Sequence, residues 1–147
     1  MRGTMAAGLL AVGFAAGAAE PPSQMMANVY RLTEAAAVLT VCIDSSAFAG
    51  LAPDKASQVK GQRARIAQLV ANIAKYYKDG ALQETYEATR ARLAGESQMQ
   101  AYAKGKYQYC GDALLRDMEA YVAENETLIN GYIARDATAP REAPKKK

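Results

Sequence analysis

Cys42 and Cys110 are the only two cysteines in a chain of 147 residues that contains no histidine and no tryptophan. Without histidine the commonest general base and the commonest metal ligand are both gone, so most acid–base, hydrolytic and metal-assisted chemistry lacks its usual carrier. Zinc would have to rely on two thiolates and carboxylates, and the carboxylate–histidine repeat of di-iron bundles cannot be built. Covalent haem needs C-x-x-C-H, and a serine nucleophile needs a base; neither arrangement occurs. Lys104-Gly105-Lys106 lacks both the spacing and the preceding strand of a phosphate loop, and reads as a solvated patch at a helix irregularity. These absences point to a protein that is not an enzyme and carries neither a metal nor another cofactor.

Two groups of residues remain able to do something. Carboxylates at Glu84 and Glu87, or at Asp117 and Glu124, could share a cleft, although helical spacing more simply makes them solvated faces. Tyrosine is the more distinctive signal, with nine copies against two phenylalanines. Tyr102, Tyr107 and Tyr109 cluster with Lys104 and Lys106, and Tyr76-Tyr77 precedes Lys78. Tyrosine buries a large ring at low entropic cost and is enriched at protein interfaces, so these five form a candidate interface. On an alanine-rich helical body the same residue also fills wide gaps while keeping its hydroxyl wet.

The cysteines depend on where the chain resides. Met5 to Ala19 is an apolar run of fifteen residues preceded by Arg2 and followed by Glu20-Pro21-Pro22. That is short of the roughly 20 residues a helix needs to span a bilayer. Its small-residue end suits cleavage after Ala18 or Ala19, so residues 1–19 read as a secretory signal and the protein as periplasmic or secreted. In an oxidising compartment one Cys42–Cys110 bridge is expected, closing a loop of almost seventy residues and contributing roughly 4 kcal/mol. In a reducing compartment the same residues would be buried thiols.

Charge narrows the partners. The whole chain has a formal charge of +3, yet Glu20 to Ala139 carries 13 Lys plus Arg against 14 Asp plus Glu. The positive excess lies in Arg141 and Lys145, Lys146 and Lys147, within a Pro-containing segment from residue 138 that reads as a disordered basic tail. Weak contact of those lysines with an anionic surface is conceivable, but a neutral body argues against nucleic-acid binding.

The elements that must position these residues are helical. Thirty-two alanines favour helices with closely packed axes, and no run of β-branched residues alternates with a period of two. Met25, Val29, Leu32, Ala36, Leu39 and Ile43 mark one face of a first helix ending near Gly50, widened by Ala35, Val38 and Cys42. After Pro53-Asp54, the positions Val59, Ile66, Leu69, Ile73 and Tyr76 mark a second helix, with Gly80 as a left-handed stop. Leu82, Tyr86 and Leu93 mark a third, ended by Gly95. Ser97 and Gln100 suggest a capping box for a last long helix. Its stripe is Met99, Ala103, Tyr107, Cys110, Leu114, Met118, Tyr121, Leu128 and Tyr132, with Leu115, Val122 and Ile129 beside it. A break near Gly105 or Gly111 is expected, since each costs about 1 kcal/mol relative to alanine.

The expectation is an all-α, four-helix bundle over residues 20–137 with one interhelical disulfide. The role that fits best is a non-catalytic exported module that binds another protein, as an accessory subunit, inhibitor or immunity-type factor. Two alternatives stand beside it: an envelope stress chaperone that shields unfolded clients, and a carrier of a small apolar ligand in a gap lined by Met25, Met26, Met99 and Met118.

Overall fold

A computed structural model describes residues 21–138. The expected signal (1–19) and nearly all of the basic tail, including Lys145, Lys146 and Lys147, lie outside the described residues. Within them the chain is all α: α1 (Ser23–Asp44), α2 (Ser46–Ala49), α3 (Pro53–Tyr77), α4 (Leu82–Gly95), α5 (Ser97–Tyr107) and α6 (Asp112–Thr138). Four long helices, α1, α3, α4 and α6, make the bundle. The short α2 is an addition to the four that the apolar spacing indicates, and the last of those four is divided into α5 and α6.

Helix α1 lies at the centre. It packs against every other helix, and Ala35 to Cys42 form an unbroken run of buried residues. Such a run on an amphipathic surface helix would be unusual, because that helix keeps one side wet. Thr33, Ala36, Ala37 and Thr40 supply the small side chains that let neighbours approach closely. The two threonine hydroxyls donate to the carbonyls of Val29 and Ala36, each at 2.8 Å, so no buried polar group is left open on that face. By length and composition α1 would also cross a membrane, but 67% of its most apolar window is buried within the fold, as befits a core helix.

Polar cross-links set the directions. Lys55 pairs with Asp112, Arg65 with Glu126 and the Tyr77 hydroxyl with Asp136, so α3 and α6 run parallel from one end to the other. Tyr132 at the far end of α6 donates to Gln24 at the start of α1, which therefore runs opposite to both. The chain reverses at Lys78–Ala81 into a hairpin of α3 and α4, and α5 carries it across to the start of α6.

Several boundaries differ from the spacing argument, each for a local reason. The first helix stops at Asp44 because Ser45 is extended and its hydroxyl and N–H both bond the Cys42 carbonyl, at 2.7 and 3.0 Å. Lys78, not Gly80, takes the left-handed cap of α3, with φ 55°. The capping box at Ser97 does not form: Glu96 is the N-cap, and the Gln100 amide donates back to the Ala94 carbonyl at 3.2 Å. On α6 the buried line is Leu114, Met118, Val122, Asn125 and Ile129, while Leu128 is 47% exposed, so the inward face is rotated toward the second seam. On α3 it is Tyr77 that is buried, with Tyr76 beside it half-buried.

The disulfide links Cys42 and Cys110 with a Cα separation of 5.1 Å. Cys110 is not inside a helix. It lies in the corner between α5 and α6, where Gln108 and Tyr109 both have positive φ and Gly111 follows. The break therefore falls at residues 108–111 and leaves Gly105 inside α5. A Cβ on Gly111 would sit 2.5 Å from the Tyr107 carbonyl oxygen, whereas one on Gly61, inside α3, would meet nothing within 4 Å.

These two glycines yield opposite expectations. Gly61→Ala should stabilise the protein by about 0.5–1 kcal/mol by removing unfolded-state entropy. Gly111→Ala should destabilise it by about 1–3 kcal/mol, because backbone must move to admit the methyl group. Urea denaturation of both variants against the parent checks the pair; equal effects would mean that the corner at Gly111 is not tight.

Candidate functional site

Helices α4 and α6 both pack on α1 but leave a gap between them, and α5 crosses its end. The result is an open groove of ≈ 680 Å³ floored by Tyr30, Arg31, Glu34, Ala35 and Val38 of α1. One wall is the end of α4 with α5, the other is Asp117, Met118 and Tyr121 of α6. Four of the nine tyrosines line it: Tyr30, Tyr102, Tyr107 and Tyr121.

The aromatic arrangement is built rather than scattered. Tyr102 and Tyr107 meet edge to face, with ring centroids 5.7 Å apart and planes at 81°. Lys106 lies over both, 5.9 Å from the first centroid and 5.6 Å from the second. Such contacts hold a cation against a ring face and fix both side chains. Tyr107 is 4% exposed and forms the base of this wall, while Tyr102 at 47% and Tyr30 at 46% present open ring surface. Met99 and Met118 add soft apolar contact. Around them stand three cations and three carboxylates, Arg31, Arg92 and Lys106 with Glu34, Glu96 and Asp117, of which Arg92 and Glu96 pair at 2.6 Å. Aromatic rings set among mixed charges suit a polypeptide segment, whose side chains carry both kinds of group.

Of the five tyrosines singled out by sequence, Tyr102 and Tyr107 come together here. Tyr76 and Tyr77 form a second edge-to-face pair on α3, with centroids 4.9 Å apart. Tyr77 is buried at 3% and its hydroxyl is held by Asp136, so it serves the core. Tyr109, half-buried in the α5–α6 corner, lines a smaller cleft with Val41 and Ser45 near the disulfide. Tyr30 and Tyr121 were not legible as site residues: Tyr30 lies beside the apolar stripe of α1, and Tyr121 belongs to the core periodicity of α6. Tyr30, Glu34 and Val38 recur at intervals of four along one side of α1, which was the available signal.

The other candidates separate. Met99 and Met118 share the groove, whereas Met25 is fully buried in the core and Met26 packs on it. The four methionines therefore do not line one gap. Glu84 and Glu124 are exposed, Glu87 pairs with Arg90, and Asp117 alone of the four faces the groove. Among the described residues no three His, Cys, Asp or Glu side chains converge as a metal site requires.

Burial governs the tyrosine chemistry. Removal from water pushes the Tyr86 phenol up to about 12. Tyr77 and Tyr107 are raised further still, first by burial and then by hydrogen bonds with Asp136 and Tyr102, and Tyr121 is raised by burial. Each folded-state value lies above the ordinary 10.0, so the unfolded chain gives up its protons first. The resulting stability is present in full below pH 10 and is lost as pH climbs through about 12. Tyrosinate absorbance should accordingly include a late wave, from the buried rings, coincident with loss of helical circular dichroism. A single early wave with the helices intact would contradict the burial described. Compared with protein-family models, with curated proteins and with solved structures, the chain matches none of them significantly.

Proposed function

We propose that this is a non-catalytic exported protein that binds another protein through the tyrosine-lined groove between α1, α4–α5 and α6. The observation that carries the reading is the pair of open rings, Tyr30 and Tyr102, set over the buried Tyr107 in a concave surface of mixed charge. Large rings of low entropy beside desolvated apolar contact are what interface hot spots are made of. Export is supported by the apolar run before Glu20 and by a disulfide that fits an oxidising compartment. A carrier of a small ligand is the second reading, favoured by a volume within the ordinary range for ligand pockets and by Met99 and Met118 in the lining.

Two measurements on the native envelope fraction test this. Protein recovered from it should begin after Ala18 or Ala19 and weigh two hydrogens less than the reduced chain; an uncleaved chain with free thiols would remove export. A photo-crosslinking aromatic placed by Tyr102→p-benzoylphenylalanine should give one adduct of defined mass, while the same group at the exposed Lys75 of α3 gives none. A broad ladder of adducts would favour the shielding of unfolded clients. No adduct would leave the small ligand as the better reading.

A further inference from the structure

Around α1 from the groove, roughly opposite Arg31 and Val38, three helices bring two guanidinium groups to one hydroxyl. Arg63 of α3 and Arg90 of α4 each donate from Nη1 to the Oγ1 of Thr40 on α1, at 3.2 and 2.9 Å. Thr40 is 6% exposed, and its own proton goes to the Ala36 carbonyl. The two cationic nitrogens are thus held within about 6 Å of each other, a separation at which like charges repel unless an anion lies nearby.

The protein supplies less negative charge than this arrangement calls for. Glu87 bonds the Nε and Nη2 of Arg90, at 3.2 and 2.9 Å, and sits on the outer side with its side chain 57% exposed. Among the described residues Arg63 has no carboxylate within salt-bridge distance. One turn before Arg90 on α4 stands Tyr86, 4% exposed, whose hydroxyl is buried without a hydrogen-bond partner. Both arginines lie close enough to that phenol to favour its ionised form. A buried hydroxyl left unpaired is costly, and one near two guanidinium groups that have a single carboxylate between them shares with them the need for an acceptor.

We infer that Arg63, Arg90 and the Tyr86 hydroxyl form a binding site for a small oxyanion, a phosphate or a carboxylate, bridged between the two arginines. Thr40 accepts from both arginines through its two lone pairs, but among the described residues only one carboxylate, Glu87, stands against the two guanidinium charges, so repulsion between them is left uncompensated. An oxyanion relieves that repulsion, accepts hydrogen bonds from both planar forks and takes the phenolic proton as a third donor. The Arg90 side chain is 19% exposed and Arg63 half-buried, so their outer edges remain open to solvent. The site is independent of the groove and of any protein partner there.

Thermal unfolding of the disulfide-intact protein with inorganic phosphate or acetate, against sodium chloride at equal ionic strength, tests this. Millimolar phosphate or acetate should raise Tm by about 3 °C or more over chloride, as expected for a ligand bound only by the folded state. Arg63→Gln and Arg90→Gln should each abolish the rise, and Tyr86→Phe, which keeps the ring and the packing, should at least halve it. If either arginine variant is unfolded at the start, the Tyr86→Phe result decides. Shifts no larger than those in chloride, or shifts undiminished in the variants that fold, would overturn the assignment.

Discussion

Burial of α1 on nearly all sides is the constraint on which the rest of this structure depends. A helix in that position cannot carry charge where it is closed in, and from Ala35 to Cys42 it carries none, whereas Arg31 and Glu34 stand where the groove leaves it open. It cannot carry bulk all round either, or its neighbours could not close on it, and its small face of Thr33, Ala36, Ala37 and Thr40 meets that need. Alanine gives helix propensity and close approach, but little buried area per residue. Large side chains on the surrounding helices, among them Ile66, Leu69, Ile73, Leu114 and Ile129, then complete the core beside α1's own Met25, Leu32 and Leu39.

The groove is a consequence of the same arrangement. Helices arranged around a central one cannot all touch one another, and α4 and α6, both packed on α1, do not close on each other. Filling that gap with phenylalanine or leucine would have produced a larger core. Tyrosine, methionine and charged groups line it instead, giving a surface in which aromatic and thioether contacts lie among charges. Tyr107 closes the base, and Lys106 keeps the wall in shape by lying over two rings at once.

The fold was legible where a single periodicity governs a whole element. The inward faces of α1, α3 and α4 follow the spacing of their large residues, because those helices keep one register from end to end. The last segment was harder. Its stripe holds across the bend at residues 108–111 as far as Met118, but beyond that the buried line passes to Val122, Asn125 and Ile129, the neighbouring seam, which leaves Leu128 exposed. Helix ends were legible where proline acts, at Pro53, and illegible where a non-glycine residue takes a left-handed cap, as at Lys78 and Gln108, since tertiary packing rather than local preference decides those. Of the site, the Tyr102–Tyr107 cluster was visible as adjacent aromatic and cationic residues. Tyr30 and Tyr121 were not, because a groove built across three helices brings together residues that no local window contains.

The disulfide joins these threads at one point. Cys110 sits in a corner where two consecutive residues have positive φ and the next glycine has no room for a side chain. Such a corner is an expensive conformation for a free chain, and it persists because surrounding contacts over-determine it. Tying Cys110 to the end of the buried α1 provides that determination directly, since Cys42 cannot move without the whole core. The corner in turn fixes the angle between α5 and α6, the two elements that carry Tyr102, Tyr107, Met118 and Tyr121. The width of the groove therefore depends on a covalent link outside it, and the compartment that permits the link is also the one in which the groove has its described shape.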